Sequence, residues 1–172
     1  MKSTNLRRFA AVATVALAVP LAAGNSASAR HNWETEADGS FRFVVDEADY
    51  DEAKVSFDVA GDDDDGEGWW TYRADGEVAY GRILCVGGSD LNSRRQGETA
   101  AIGIQIRKSS FDTGPFRRGN YVLHYVQDHP GPDRHNLLVG RTEFSCPRDD
   151  FRQGLNMQKI ERGDIDVDVD NN

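Results

Sequence analysis

From Phe41 onward the apolar residues recur at every second position. Phe41, Phe43 and Val45 alternate with polar residues, and Ala53, Val55, Phe57 and Val59 do the same. A strand with one buried face imposes that period, because successive side chains point to opposite sides of a sheet. Further strand candidates lie at residues 69–73, 78–86, 99–107, 120–127 and 136–145. They are separated by ADGE, GGSDLNSRRQG, SSFDTGPFRRG and HPGPDRH, segments rich in the Gly, Pro, Asp, Asn and Ser that turns require. No stretch carries a sustained 3.6-residue apolar stripe with caps, although residues 149–159 could hold a short helical turn. Seven to eight short strands at this spacing predict an all-β domain, an antiparallel sandwich or barrel.

The closing segment RGDIDVDVDNN sets Asp164, Asp166, Asp168 and Asp170 against Ile165, Val167 and Val169. Period two makes it a strand with one acidic and one apolar face, in competition with a frayed acidic tail held apart by its own charge. In the strand alternative the domain spans residues 41–169, preceded by a linker at 30–40 and followed by an acidic tail at 170–172.

The first residues follow a different pattern. A basic start (Lys2, Arg7, Arg8) leads into an apolar run of 15 residues from Phe9 to Ala23, and then to Ala27, Ser28 and Ala29. That is the plan of a secretory signal peptide, too short to cross a bilayer as a helix of ~20 residues. Residues 1–29 are therefore read as a Sec-type signal cleaved after Ala29. Phe9 follows Arg7 and Arg8 without the spacer usual in twin-arginine export signals. No cysteine stands at the cleavage site to carry a lipid, and no later apolar run is long enough to span a membrane. The product is expected outside the cell as a soluble monomer with no membrane anchor.

Composition sharpens the choice of partners. The whole chain has 20 Lys+Arg against 29 Asp+Glu, a net charge of −9. The signal takes three basic and no acidic residues with it, leaving −12. Nucleic acid and anionic lipid are disfavoured because their phosphates would be repelled. An extracellular protein or polysaccharide is the expected partner. The two cysteines, Cys85 in GRILCVGG and Cys146 in TEFSCP, meet an oxidising environment after export, and pairing is the default expectation. Their bridge would close a loop of about 60 residues, worth ~4 kcal/mol in the chain-entropy model.

Candidate chemistry is sparse. HYVQDHPGPDRH, residues 124–135, holds three of the four histidines and two aspartates. On a strand over 121–127, Val122, His124 and Val126 share one face, so His124 sits among apolar residues. A histidine there is either a satisfied core residue or an active one. Asp128 would lie about 13 Å away along the strand, too far to share a zinc ion held at ~2 Å. His129, Asp133 and His135 are expected to be solvent-facing residues of a proline-rich turn. In GDDDDGEG, Asp62, Asp63, Asp64 and Asp65 read as a solvated acidic loop or, more sharply, as weak loop-based calcium ligands, since EF-hand spacing is absent. No other metal and no cofactor is expected.

Trp69, Trp70, Tyr72 and Tyr80 form the densest aromatic group. In alternation Trp70 and Tyr72 face one way and Trp69 the other. One face packs the core, and an exposed tryptophan on the other could stack on a sugar or anchor a protein, although packing in the core or at a sheet edge accounts for the group as well. Together with His124, Trp69, Trp70 and Tyr72 are the candidate ligand-binding residues. Nucleophile elbows and HExxH are absent, so no catalytic residue is assigned. A carboxylate pair of the glycosidase type needs no motif and stays open, as does chemistry at His124. The leading expectation is a non-enzymatic binding module, with a small secreted hydrolase using carboxylates or His124 as the alternative.

The segments YGRILCVGG, ETAAIGIQI, YVLHYVQDHPGPDR, TEFSC and GDIDVDV, in that order, resemble a family of small secreted, mostly actinobacterial proteins of unknown function. Its pattern runs GxVxCV, AxIxGxI, a strand entering an Asp-Gly/Pro-rich turn, a second cysteine and a closing GNIxV strand. The resemblance covers roughly residues 41–169. It implies an all-β secreted domain, makes Cys85 and Cys146 the counterparts of the family cysteines, and matches Asp128, Pro130, Gly131, Pro132 and Asp133 to the family's turn. His124, His129, the GDDDDGEG segment and Arg94 with Arg95 depart from the pattern. The resemblance carries over no catalytic residue.

Overall fold

The computed structural model describes residues 35–44, 52–89, 97–146 and 155–170. Residues 1–29, read as a signal segment with its cleavage site, residues 90–96 with Arg94 and Arg95, and residues 147–154 lie outside them. The fold is all-β: a curled antiparallel sheet, a half-barrel, built from β1 (Thr35–Phe43), β2 (Ala53–Gly61), β3 (Gly66–Ala74), β4 (Glu77–Ser89), β5 (Thr99–Ser109), β6 (Tyr121–Gln127), β7 (Arg134–Gly140), β8 (Gln158–Lys159) and β9 (Arg162–Val169). The strand order is β8-β7-β6-β5-β4-β3-β2-β1-β9, a meander whose last strand returns to pair with the first. One sheet curling on itself takes the place of two stacked sheets. Among the described residues, counting the two-residue β8 gives nine strands and omitting it gives eight.

The period-two pattern sets the curl. Phe41, Val55, Phe57, Trp70, Tyr72, Ile102, Ile104, Val122, Ile165 and Val167 all turn to the concave side and form its core. Strand β1 starts at Thr35, inside the segment expected to be linker, because Thr35 and Ala37 continue the inward phase of Phe41 while Gly39 interrupts the apolar signal. Asp75 and Gly76, with φ of 48° and 78°, make the tight β3–β4 turn whose twist suits a hairpin. Two register shifts in the β4–β5 pair, at Tyr80/Gly81 and Ile83/Cys85, supply the local bending that a curled sheet needs. The β5–β6 connection folds back over the core, where the Phe116 ring stacks on Tyr72 at 3.8 Å.

Strand β5 is covered on both sides, which is why it reads as an almost continuous apolar run. Its convex side carries a second cluster, Cys85, Ala101, Leu123, Tyr125 and Cys146, packed with Phe144, Leu155 and Met157. The Cys85–Cys146 disulfide pins the segment after β7 onto that side, with the Cα atoms 5.9 Å apart. Gly103 makes room for it: a Cβ there would lie 2.6 Å from Sγ of Cys85. Residues 155–159 contain β8 and no helical turn.

Asp133 joins the two edges of the sheet. Its Oδ1 accepts from the His129 amide and its Oδ2 from the Ile165 amide of β9, each at 3.0 Å. Its carbonyl accepts from the Ile160 amide, and the Glu161 amide donates to the Arg42 carbonyl. The expectation of a solvent-facing Asp133 is thus corrected: the side chain is buried because two backbone donors need it.

Candidate binding face and buried histidine pair

The outward residues of β9, β1, β2 and β3 fall into register. Asp38 of β1 stands opposite Asp166 of β9 on one side and Asp58 of β2 on the other, and Asp58 stands opposite Trp69 of β3. Four strands therefore carry one straight row: three carboxylates and an indole. The next row, toward the start of β1, is Asp168, Glu36, Ala60 and Glu67. Two residues the other way, Asp164 lines up with Ser40, Ser56 and Thr71, and Ser40 shares a 3.0 Å hydrogen bond with Ser56. A fourth row is Arg162, Arg42, Lys54 and Arg73.

This face is divided by charge. At ~3.4 Å per residue the all-basic row lies about 14 Å from the Asp166-Asp38-Asp58 row, beyond a Debye length at physiological salt. The charges therefore do not neutralise each other across the face. Arg42 pairs with Glu52 at 2.9 Å, next to the basic row. Partial burial, followed by the charges of Asp166, Asp58 and Asp164, raises the Asp38 carboxyl above its ordinary value. A shallow groove of about 360 Å³ runs over the acidic rows, lined by Glu36, Asp38, Asp58, Glu67, Asp166 and Asp168. A second groove continues from Asp38 and Asp58 to Trp69, whose side chain is 48% exposed.

Of the four aromatic and histidine candidates, Trp69 alone lies on this surface. Trp70, Tyr72 and His124 are sealed in the interior, as the alternation of WWTY and HYV dictates. The four aspartates of GDDDDGEG form a tight turn, with Asp64 and Asp65 exposed and Asp62 and Asp63 half-buried. Oδ1 of Asp62 accepts from the amides of Asp64 and Asp65, and the Asp62 carbonyl accepts from the Val86 amide. Among the described residues no group of three or more His, Cys, Asp or Glu side chains is placed to hold a metal ion.

The histidine segment divides differently from its expected arrangement. His129 is a turn residue whose Nδ1 accepts from the Gly131 amide at 2.9 Å. His135 is corrected from turn to core: it is the second residue of β7, pairs with Val126, and points inward in phase with Leu137 and Val139. Its ring centre lies 5.8 Å from that of His124, with the planes at 82°. Phe43 at 4.1 Å and Phe41 at 4.7 Å press on His135, while Phe57 at 5.4 Å and Trp70 at 6.4 Å press on His124. Trp70 Nε1–H donates to Nδ1 of His124 at 3.3 Å. Nε2 of His124 and both ring nitrogens of His135 are buried without a hydrogen-bond partner. Burial, with the neighbouring His135, lowers His124 well below its ordinary value, and burial lowers His135 to about 3. The His135-Leu137-Val139 alternation was visible in the sequence but was outweighed by the two prolines just before it.

No family model, no curated protein and no solved structure matches the chain.

Proposed function

We propose that the protein is a secreted, monomeric, non-enzymatic binding domain that holds a basic segment of an extracellular partner protein on the outer face of β9, β1, β2 and β3. The observation that carries this reading is the row Asp166-Asp38-Asp58-Trp69. Like charges directly opposite on a sheet destabilise it, so three aligned carboxylates are a cost to folding that a cationic ligand would relieve. Trp69 at the end of the row offers a flat apolar surface on which an arginine or lysine side chain can stack while its charge meets the carboxylates. The acidic rows are spaced about 7 Å along the strands, the repeat of alternate side chains on an extended peptide. A neutral polysaccharide could use the indole and hydrogen-bond the carboxylates, but it would leave their mutual repulsion in place.

Extracellular placement rests on the signal-like residues 1–29 and on the Cys85–Cys146 bridge, which suits an oxidising compartment. No helix among the described residues is long and apolar enough to cross a membrane. The family resemblance, with its secreted β-domains, points the same way.

Titration with an arginine-rich peptide, followed by tryptophan fluorescence, tests the reading. Binding that weakens with salt and is lost in Trp69→Ala and in Asp38→Asn/Asp58→Asn supports it. Binding of neutral glycans alone, or peptide binding indifferent to these substitutions, contradicts it.

One observation favours a second reading. Asp38 has a raised carboxyl beside two further carboxylates, the pattern of an acid–base pair in a carboxylate hydrolase. The hydrolase alternative then rests on these carboxylates, since His124 has no exposed surface. Turnover of a polysaccharide, abolished by Asp38→Asn, would establish it.

A further inference from the structure

Strand β2 runs through the middle of the outer face as a track. Its outward side chains are Ala60, Asp58, Ser56 and Lys54, flanked by Glu36, Asp38, Ser40 and Arg42 of β1 and by Glu67, Trp69, Thr71 and Arg73 of β3. Ala60 is shorter than the glutamates on either side, so the track begins in a hollow, the groove of about 360 Å³. It ends in another of about 560 Å³, where Lys54 lies between Arg42 and Arg73 with Tyr80 alongside. Among the described residues Arg42–Glu52 is the ion pair of that row, and Lys54 and Arg73 have none. Asp75 and Glu77 also line the basic hollow. Strands of alternating direction each place their cation in this row, so register assembles it and not a run of basic sequence. Aligned cations oppose folding as aligned carboxylates do. Resting on the peptide-binding reading above, we propose that the bound segment is dipolar: extended, with facing side chains two residues apart that run cation, cation, small, carboxylate, in either chain direction.

The spacing of the rows sets this order. An extended chain laid along β2 presents alternate side chains about 7 Å apart, as the rows are. Its first cation sits over Ala60 between Glu36 and Glu67, and its second over Asp58 between Asp38 and the Trp69 ring. A small residue clears Ser56. Four residues beyond the second cation, about 14 Å along, a carboxylate meets Lys54 between Arg42 and Arg73. A segment with a cation in that last place would be repelled by all three, which offsets part of the attraction of the acidic half. The order also fixes register: a slide of two residues takes the carboxylate off its cations and a cation off its carboxylates.

The test titrates the full chain with three peptides of equal length, followed by tryptophan fluorescence. The block peptide is Arg-Ser-Arg-Ser-Ser-Ser-Glu, its interleaved isomer Arg-Ser-Glu-Ser-Ser-Ser-Arg, and the all-basic peptide Arg-Ser-Arg-Ser-Ser-Ser-Arg. At low salt the block peptide should bind about tenfold more tightly than its isomer. It should also bind more tightly than the all-basic peptide, although net attraction to an acidic protein favours the reverse. Lys54→Glu should abolish both advantages and leave the all-basic peptide bound. That variant should fold, because Lys54 is exposed and the change sets a carboxylate between Arg42 and Arg73. Equal binding of the block and interleaved peptides, or an advantage that survives Lys54→Glu, would overturn the charge order. If the all-basic peptide then still binds and is lost in Trp69→Ala, the dipolar order alone has failed. If none of the three binds, the order and the basic-segment reading fail together.

Discussion

Asp38 and Asp58 stand directly opposite each other on neighbouring antiparallel strands, with Asp166 completing the line on the far side of Asp38. The basic residues of the same strands, Arg42 and Lys54, sit four positions along and face each other in turn. An alternating arrangement of the same residues would have given cross-strand ion pairs. The segregated one gives a face with an acidic half and a basic half, suited to a partner more than to the domain itself.

Relief of this repulsion should be measurable. Asp58→Asn is expected to stabilise the fold by about 0.5 kcal/mol and to bring the Asp38 carboxyl back toward its ordinary value, because one of its three opposing charges is gone. Thermal melts at low and high salt check this, the gain shrinking as salt screens the pair. A destabilised Asp58→Asn would mean that the carboxylate has a structural role.

Acid should weaken the fold through its interior. His124 and His135 are lowered in the folded chain, whereas in the unfolded chain they titrate near the ordinary value of about 6.5. Between those values the unfolded state binds more protons, so stability is full above pH ~6.5 and is lost as pH falls toward 3. Each histidine contributes up to ~1.4 kcal/mol of loss per pH unit in that window. Asp38 works in the opposite sense: its raised carboxyl favours the fold at low pH, and that share is lost as pH rises through its folded value. Urea midpoints measured from about pH 7.5 to about pH 4.5 should fall in wild type and fall less steeply in His135→Leu. A flat profile in wild type would contradict the burial of the pair.

Asp133→Ala removes the acceptor of both the His129 and Ile165 amides. A loss of about 2–4 kcal/mol is expected, from two buried donors left unpaired at ~1–3 kcal/mol each less what water recovers. Hydrogen exchange at the Ile165 amide should accelerate before global unfolding. Unchanged protection there would show that the edges are held by other contacts.

Reducing the Cys85–Cys146 bridge should lower stability by about 2–5 kcal/mol and free the segment after β7. Gly103→Ala should destabilise even the oxidised chain, because its methyl group would meet both sulfurs. Denaturant melts with and without reductant measure the two effects. If Gly103→Ala is neutral, the sulfurs are less tightly packed over β5 than the structure shows.

The sequence carried the strands because each buries one face, and alternation alone places Phe41, Phe57, Trp70, His124 and Ile165 inside. It carried the disulfide because the chain has only two cysteines to pair. Curl and closure were not legible, since they depend on Asp133 reaching Ile165 across 32 positions, a contact without a local signature. The acidic row was equally hidden: Asp38, Asp58 and Asp166 become neighbours only through the register of β9, β1 and β2. Alternation set Trp69 opposite to Trp70 and Tyr72, but neither which of them faces out nor the charged row that Trp69 ends was legible. His135 was missed because prolines at 130 and 132 suggested that the turn extended further than it does.

The most direct measurement of the central claim is a chemical-shift map of the isotopically labelled domain titrated with an arginine-rich peptide. The predicted result is perturbation of the Trp69 indole and of the backbone around Asp38, Asp58 and Asp166, with the interior Trp70 indole unmoved. Perturbations centred on the β4 to β7 side, or none at peptide concentrations that saturate nonspecific acidic surfaces, would contradict it.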